Sequence, residues 1–324
     1  MGILLHILLA LIVSDAFGRQ HLGKWALILG AGCSLLLDIP SFFYDSIDIF
    51  DQLHGMNWSH SIFSITLYML IFSGISFAQK KSPLLYLRVV FPVFITHLYF
   101  DISTTNGIML FFPISMEPVQ IPGFSRFDPI IILPLLITLL LTYKVPRDTI
   151  SKKTLWFLLS YSLLAHGITL QAKRTISPII EQMGFSAEKI HVSSPPFVFP
   201  LRRVTVKDNK NRVAIAYVPP FTTRPPRVYV RESISNPQVS SLLNSELGQR
   251  LLQVSSSMIF IERRSNQYLF SDIRFGGFIE PWESPLRLRS ALDKGSALPL
   301  EHVYVYSKTP ILEDIQQGWM LLFP

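Results

Sequence analysis

The stretch LLYLRVVFPVFITHLYFDIST, residues 84–104, decides the architecture. It is apolar almost throughout, and it supplies the roughly 20 residues a helix needs to cross a hydrocarbon core about 30 Å thick. Near its end stand His97 and Asp101, at i and i+4, which a helix places on one face. An imidazole and a carboxylate at membrane depth are costly unless they pair, face water or bind an ion, so the same stretch predicts both a span and a site.

Working outward, five more apolar runs occupy residues 2–17, 25–43, 60–78, 129–143 and 155–172. Residues 1–173 therefore read as an α-helical integral membrane domain of about six helices. The runs at 2–17 and 129–143 are short for a span and fit little tilt or partial burial against protein. The first run has no basic n-region, and Asp15 and Phe17 spoil a small-residue cleavage site, so it reads as a helix rather than a signal peptide. Composition agrees: the chain is 49% hydrophobic and 16% charged with a mean hydropathy of +0.37, where soluble domains carry about 25% charged residues. With 24 Phe, 11 Tyr and 5 Trp, disorder is excluded, and the single Cys33 excludes a disulfide scaffold. Cys33 itself reads as a small buried hydrophobe.

The net charge of +7 raises nucleic acid as a partner, but the placement of the basic residues argues otherwise. Arg19 and Lys24, then Lys80 and Lys81, then Lys144, Arg147, Lys152 and Lys153 occupy alternate loops, while residues 44–59 hold Asp45, Asp48 and Asp51 and no Lys or Arg. Under the positive-inside rule these basic loops are cytoplasmic, which predicts a multi-pass protein of the cytoplasmic membrane with its N-terminus and its tail outside. The lipid bilayer is the expected partner, and nucleic acid is not.

From residue 174 to residue 324 the pattern changes to polar, Pro-containing segments and alternating strands, the expectation for a small extracytoplasmic α+β domain. Strands are predicted at 203–207 and 212–218 around the Asp208-Asn209-Lys210-Asn211 turn, and at 227–231, 258–263, 267–275 and 302–307. Residues 237–254 read as one helix, with Pro237 in its first turn and five leucines on one face.

Mapped onto this topology, His6, Asp38, His54, His60, His97, Asp101 and Asp128 all fall at the outer ends of their helices. Because the topology rests on Lys and Arg alone, that agreement is independent. Singly each has an ordinary reading: Asp38 as a helix-end residue before Pro40, Ser59 beside His60 as a helix N-cap, Asp128 as a helix-initiating residue before Pro129. Together, several His and two Asp at one membrane face fit a borderline-soft divalent cation, zinc above others, as one ion or two. The predicted metal ligands are His6, Asp38, His54, His60, His97 and Asp101, with Asp128 as the base that takes a proton from water. His21 and His166 read as a solvated and a helix-interface histidine, and His191 and His302 carry no recognisable spacing.

At these residues the chain resembles the bacterial membrane-bound metal-dependent hydrolases, the inner-membrane family that includes YdjM and YbcI. The matches are His6, Asp38, Ser59-His60-Ser61 and the stretch from His97 and Asp101 to Gly107, with Pro113 beyond it and Phe127-Asp128-Pro129 opening the next helix. Residues 194–200 and 271–276 resemble the extension of longer members. Pro40 stands where the family has a second Asp, no Arg follows His54, and His54 lies six rather than five residues before His60. The order of ligand types is distantly similar to zinc-dependent phospholipases C, without their later HxxxE. The resemblance implies hydrolysis of a phosphodiester or ester of a lipid-linked substrate at the membrane surface. Two other classes compete: a non-catalytic regulatory or scaffold protein braced by a structural metal, and an ion-coupled transporter. Transport requires ionisable groups spread through the bilayer depth, whereas here the helix middles are nearly bare.

Overall fold

The computed structural model describes residues 3–39, 58–104, 107–125, 128–144, 148–220, 225–276, 281–282, 286–293, 296–297, 299–304 and 311–322. The chain divides into two compact units: Met1–Ile121 with Arg126–Leu164, and Pro122–Ser125 with Ala165–Pro324. A helical N-terminal region is thus followed by a small sheet-containing domain.

The helices of the first region are α1 (Ile3–Phe17), the short α2 (Arg19–Leu22), α3 (Trp25–Asp38), α4 (Ile62–Ala78), α5 (Leu84–Ile102), α6 (Pro129–Lys144) and α7 (Asp148–Gln182). Each apolar run forms the helix expected of it, with residues 40–43 of the second run outside the described part. The last run departs in extent: α7 is a 35-residue helix. It starts early because Asp148 occupies the first turn, where a carboxylate complements the helix dipole, and pairs with Lys152 one turn on at 2.7 Å. Its later turns, Ala172, Ile176 and Ile180, are buried in the second unit's core, so folding on the sheet extends a helix that lipid alone would have ended sooner. Among the described residues, α5 and α7 are the two helices long and apolar enough to cross a membrane, the other apolar helices being shorter.

Helix α1 packs on α3, α5 and α6, with Leu9, Ile12 and Val13 buried against a core that includes Leu37, Val89, Val90 and Phe94. Cys33 is buried within the same bundle. The α1–α3 crossing is close because Gly30 has no side chain: a Cβ there would lie 1.7 Å from Ser14 Oγ and 3.1 Å from the Ala10 carbonyl. Small residues at such crossings are how helices in lipid gain contact without a hydrophobic driving force. Outward the bundle exposes Leu70, Ile71, Phe91, Leu140 and Trp156 among other large apolar side chains, as helices facing lipid do.

In the second unit, β1 (Ala187–Ser193), β2 (Arg202–Asp208), β3 (Arg212–Val218) and β4 (Arg227–Glu232) form an antiparallel meander. The predicted turn closes β2 to β3. Asp208 Oδ1 accepts from the Lys210 and Arg212 N–H groups, and Asn211 adopts a positive φ of 59°. One face of this sheet, with Val204, Val206, Ala214 and Ala216, packs on the C-terminal half of α7. The other, with Val213, Ile215 and Tyr217, packs against Phe260 of a second sheet and against Ile273 and Trp282 from a connecting segment. That sheet is built from β5 (Ile259–Arg264), β6 (Gln267–Asp272) and β7 (Leu286–Asp293), with β8 (Ser296–Ala297) and β9 (Glu301–Tyr304) both pairing β7. Arg202 is buried and spends all five guanidinium N–H groups locally, on the carbonyls of Pro200, Leu201, Gly123 and Ala165 and the hydroxyl of Thr169.

The expected helix at 237–254 is two, α8 (Pro237–Leu243) and α9 (Glu246–Val254). Asn236 caps the first, and Ser245 interrupts the run to cap the second, accepting from the Gly248 N–H at 3.2 Å. Gly248 itself is required, since a Cβ would meet the Leu242 carbonyl at 2.3 Å. The leucine periodicity concealed this break. Strands β1 and β7 and the terminal helix α10 (Ile311–Leu322) were not predicted, and residues 305–307 of the last predicted strand lie outside the described part.

Filling the α1–α3 crossing with Gly30→Val should destabilise the bundle by about 1–3 kcal/mol, as overpacking does elsewhere. Gly32→Ala, two residues away with open space around its Cβ position, should be neutral or stabilising. Thermal denaturation in detergent compares the two, and equal melting temperatures would contradict the packing described.

Candidate metal centre

Four elements deliver the cluster. His6 lies in the first turns of α1, Asp38 is the last residue of α3, His60 closes a 3-10 turn (Trp58–His60) before α4, and His97 and Asp101 occupy the end of α5. Helices of alternating direction bring these ends together. All five side chains are buried, at most 3% exposed.

The geometry is more specific than a polar knot. His60 Nε2 lies 3.7 Å from Asp38 Oδ1 and 3.4 Å from Asp101 Oδ2, while His97 Nε2 lies 3.4 Å from each of the same two oxygens. Donors about 2.0–2.1 Å from a shared tetrahedral ion stand about 3.3–3.4 Å from one another, and three of these four imidazole–carboxylate distances match that spacing. His6 meets the other oxygen of each carboxylate, Nδ1 at 3.4 Å from Asp38 Oδ2 and Nε2 at 3.1 Å from Asp101 Oδ1. The residues that could hold a metal ion fall into two overlapping groups, His6 with Asp38 and His97, and His60 with His97 and Asp101.

Two serines orient the imidazoles. Ser59 Oγ donates to the Leu37 carbonyl at 2.7 Å, so it faces His60 Nδ1, 3.0 Å away, as an acceptor. That puts the His60 proton on Nδ1 and leaves the Nε2 lone pair towards the cluster, the tautomer a metal ligand needs. His97 Nδ1 lies within hydrogen-bond reach of Ser34 Oγ, 3.2 Å away. Ser59 is therefore not the helix cap: Ser61 caps α4, accepting from the Ser64 N–H. Ser34 had no signal in the sequence, because a serine in an apolar helix reads as a small packing residue. Its placement four residues before Asp38, on the same face, was the clue available.

The remaining candidates lie elsewhere. His54 is outside the described residues. Asp128 is buried at the start of α6, where Oδ1 accepts from the Ile130 N–H at 3.0 Å and Oδ2 from the Tyr161 hydroxyl, and it is in neither metal-capable group. His166 packs over Gly123, where a Cβ would fall 2.6 Å from the ring, and beside Phe124. His21 is exposed beside Arg88.

An apolar helical bundle with a buried His and Asp cluster at the ends of its helices defines a membrane protein with a metal-capable centre. A family described as YdjM inner membrane protein matches residues 1–174, and the chain belongs to that family. Inner-membrane association follows for this chain, while the tail motifs at 194–200 and 271–276 fall beyond the matched region. No curated protein and no solved structure matches it.

Ser59→Ala should leave the bundle folded and weaken metal retention about 10–100-fold, the usual cost of removing a hydrogen bond behind a histidine ligand. Competition of wild type and variant against a calibrated chelator measures it, and unchanged retention would remove Ser59 from the centre.

Proposed function

We propose that this protein is a membrane-bound, metal-dependent hydrolase of the zinc type, working at the outer face of the cytoplasmic membrane on a phosphodiester or ester of a lipid-linked substrate. The metal rests on one observation, the convergence of buried His6, Asp38, His60, His97 and Asp101 into two overlapping groups whose ligand atoms lie close enough to share an ion. Hydrolysis rests on the resemblance of the motifs and on location. The proposed topology is six spans with the N-terminus and tail outside, from the basic loops.

In this reading the ion supplies Lewis acidity to a phosphoryl or acyl oxygen and activates water. The protein does the rest. His60 presents its Nε2 lone pair because Ser59 accepts from Nδ1, and Ser34 holds the His97 ring through its Nδ1. His6 fixes both carboxylates through their second oxygens, acting as a positioning residue as much as a ligand. His54 is proposed as a further ligand. Asp128 takes the proton, with the Tyr161 hydroxyl holding its carboxylate in place. Exposed Ile39, Trp58, Ile62 and Phe63 flank Asp38 and His60 in sequence and suit an acyl chain arriving from the bilayer.

Burial favours a second reading. A buried donor set drawn wholly from protein side chains is what closed structural zinc sites use, so the centre can equally brace the helices of a regulatory protein.

Elemental mass spectrometry on detergent-purified protein, beside a His97→Ala, Asp101→Ala double variant, tests the metal. About one zinc per chain in the wild type and none in a folded variant is expected. No metal in the folded wild type, purified without chelator, would sink both readings. Replacement by cobalt(II) then separates them: visible absorption that changes when a phosphodiester analogue is added supports hydrolysis, and a fixed four-coordinate spectrum with no cleavage of chromogenic phosphodiesters or esters supports the brace.

A further inference from the structure

The second unit buries charge far from any apolar rationale. Arg203 and Arg274 are 2% and 1% exposed, and His191 is 6% exposed. The strand register explains how they meet. Ser193 pairs with Arg203 and His191 with Thr205 across β1 and β2, so these four side chains share one face of the sheet. The segment after β6 lies across that face. Ser193 Oγ donates to the Arg274 carbonyl at 3.2 Å, and Thr205 Oγ1 donates to the Ile273 carbonyl at 3.1 Å.

The donors do not balance. Arg203 uses only Nη2, which donates to the carbonyls of Ile273, Phe275 and Pro281 at 3.1, 3.1 and 2.8 Å. Its Nε and Nη1 are buried and meet no acceptor among the described residues. Arg274 spends Nε and Nη2 on Asp272, and Nη2 also on the Val254 carbonyl, but its Nη1 is likewise buried without an acceptor. His191 Nε2 is in the same state. Burial and the two arginines hold the His191 pKa well below its usual range, which keeps the ring neutral. Of the carboxylates acting on Arg203, Asp272 is already bound by Arg274, and Asp314 is partly exposed and has the weaker effect.

Buried guanidinium donors without acceptors are a cost few folds retain. Two arginines presenting spare N–H groups beside a neutral imidazole match an oxyanion with several acceptor oxygens. We propose that Arg203, Arg274 and His191 form an internal binding site for a phosphate-type oxyanion, supplied as free phosphate or as the phosphate of a lipid headgroup. The site belongs to the tail and is independent of the metal centre.

The test uses the full-length protein in an uncharged detergent and reads its melting temperature. Sodium phosphate is titrated against sodium chloride of equal ionic strength, and in a second arm micelles are doped with short-chain phosphatidic acid. The expected result is a stabilisation by phosphate or by the lipid of roughly 3–5 °C per tenfold increase above the dissociation constant. Response to phosphate alone identifies a free anion, and response to the lipid alone identifies a headgroup. Arg203→Lys keeps the charge but loses the fork, and should abolish the response. Should that variant not fold, His191→Gln, which keeps size and polarity, should weaken it at least several-fold. A wild type that responds to neither probe, its donors being met by water, overturns the proposal, and so does a response unchanged in every variant that folds.

Discussion

Two carboxylates at the ends of helices, removed from water and faced by three imidazoles, set the terms for the helical region. Burying Asp38 and Asp101 in a medium of low polarisability is affordable only if positive charge or strong donors surround them. His6, His60 and His97 meet that condition from three separate elements. The helices cannot shift independently without leaving a carboxylate uncompensated, so the cluster fixes their register as much as it forms a site. Gly30 and Ser14 complete the arrangement from the apolar side, letting α1 approach α3 closely enough for His6 to reach Asp38.

Charge of the opposite sign is buried in the sheet domain, and by a different solution. Arg274 takes a carboxylate neighbour, Asp272, two residues away in sequence, whereas Arg203 takes main-chain carbonyls from a crossing segment. Cation contacts with aromatic rings run through the same domain, Arg203 with Tyr217 and Arg231 with Trp282 among them. Basic residues that scatter along the sequence as if on a solvated face are in part the interior of the domain.

The helices were legible because lipid imposes a length and an apolar composition that a window of sequence records directly. The cluster was legible because charge is rare in such windows, so His97, Asp101, Asp38, His60 and His6 stood out singly and their common depth joined them. What escaped depends on partners distant in the chain. Ser34 and Ser59 matter only through the imidazole each faces, and nothing local distinguishes them from packing serines. The partners of Asp128, the Ile130 N–H that marks a helix-starting carboxylate and the Tyr161 hydroxyl from another helix, were no more legible than its proposed role as a base. In the tail, the two-helix break at Asn244 and Ser245 was hidden by leucines continuing in phase across it. Strand β7 does alternate, Leu286, Leu288 and Leu292 against Arg287, Arg289 and Asp293, a period-two signal that the sequence carried and that went unread.

The two buried charge systems differ in what can undo them. The centre around Asp38 and Asp101 is held by ionisable side chains, imidazole against carboxylate. The five bonds of Arg202 end on four amide carbonyls and one hydroxyl, groups that carry no charge to lose. The fastening of Gly123 to the tail therefore depends on no charged acceptor, and it would persist under conditions that disturb the carboxylates of the helical region.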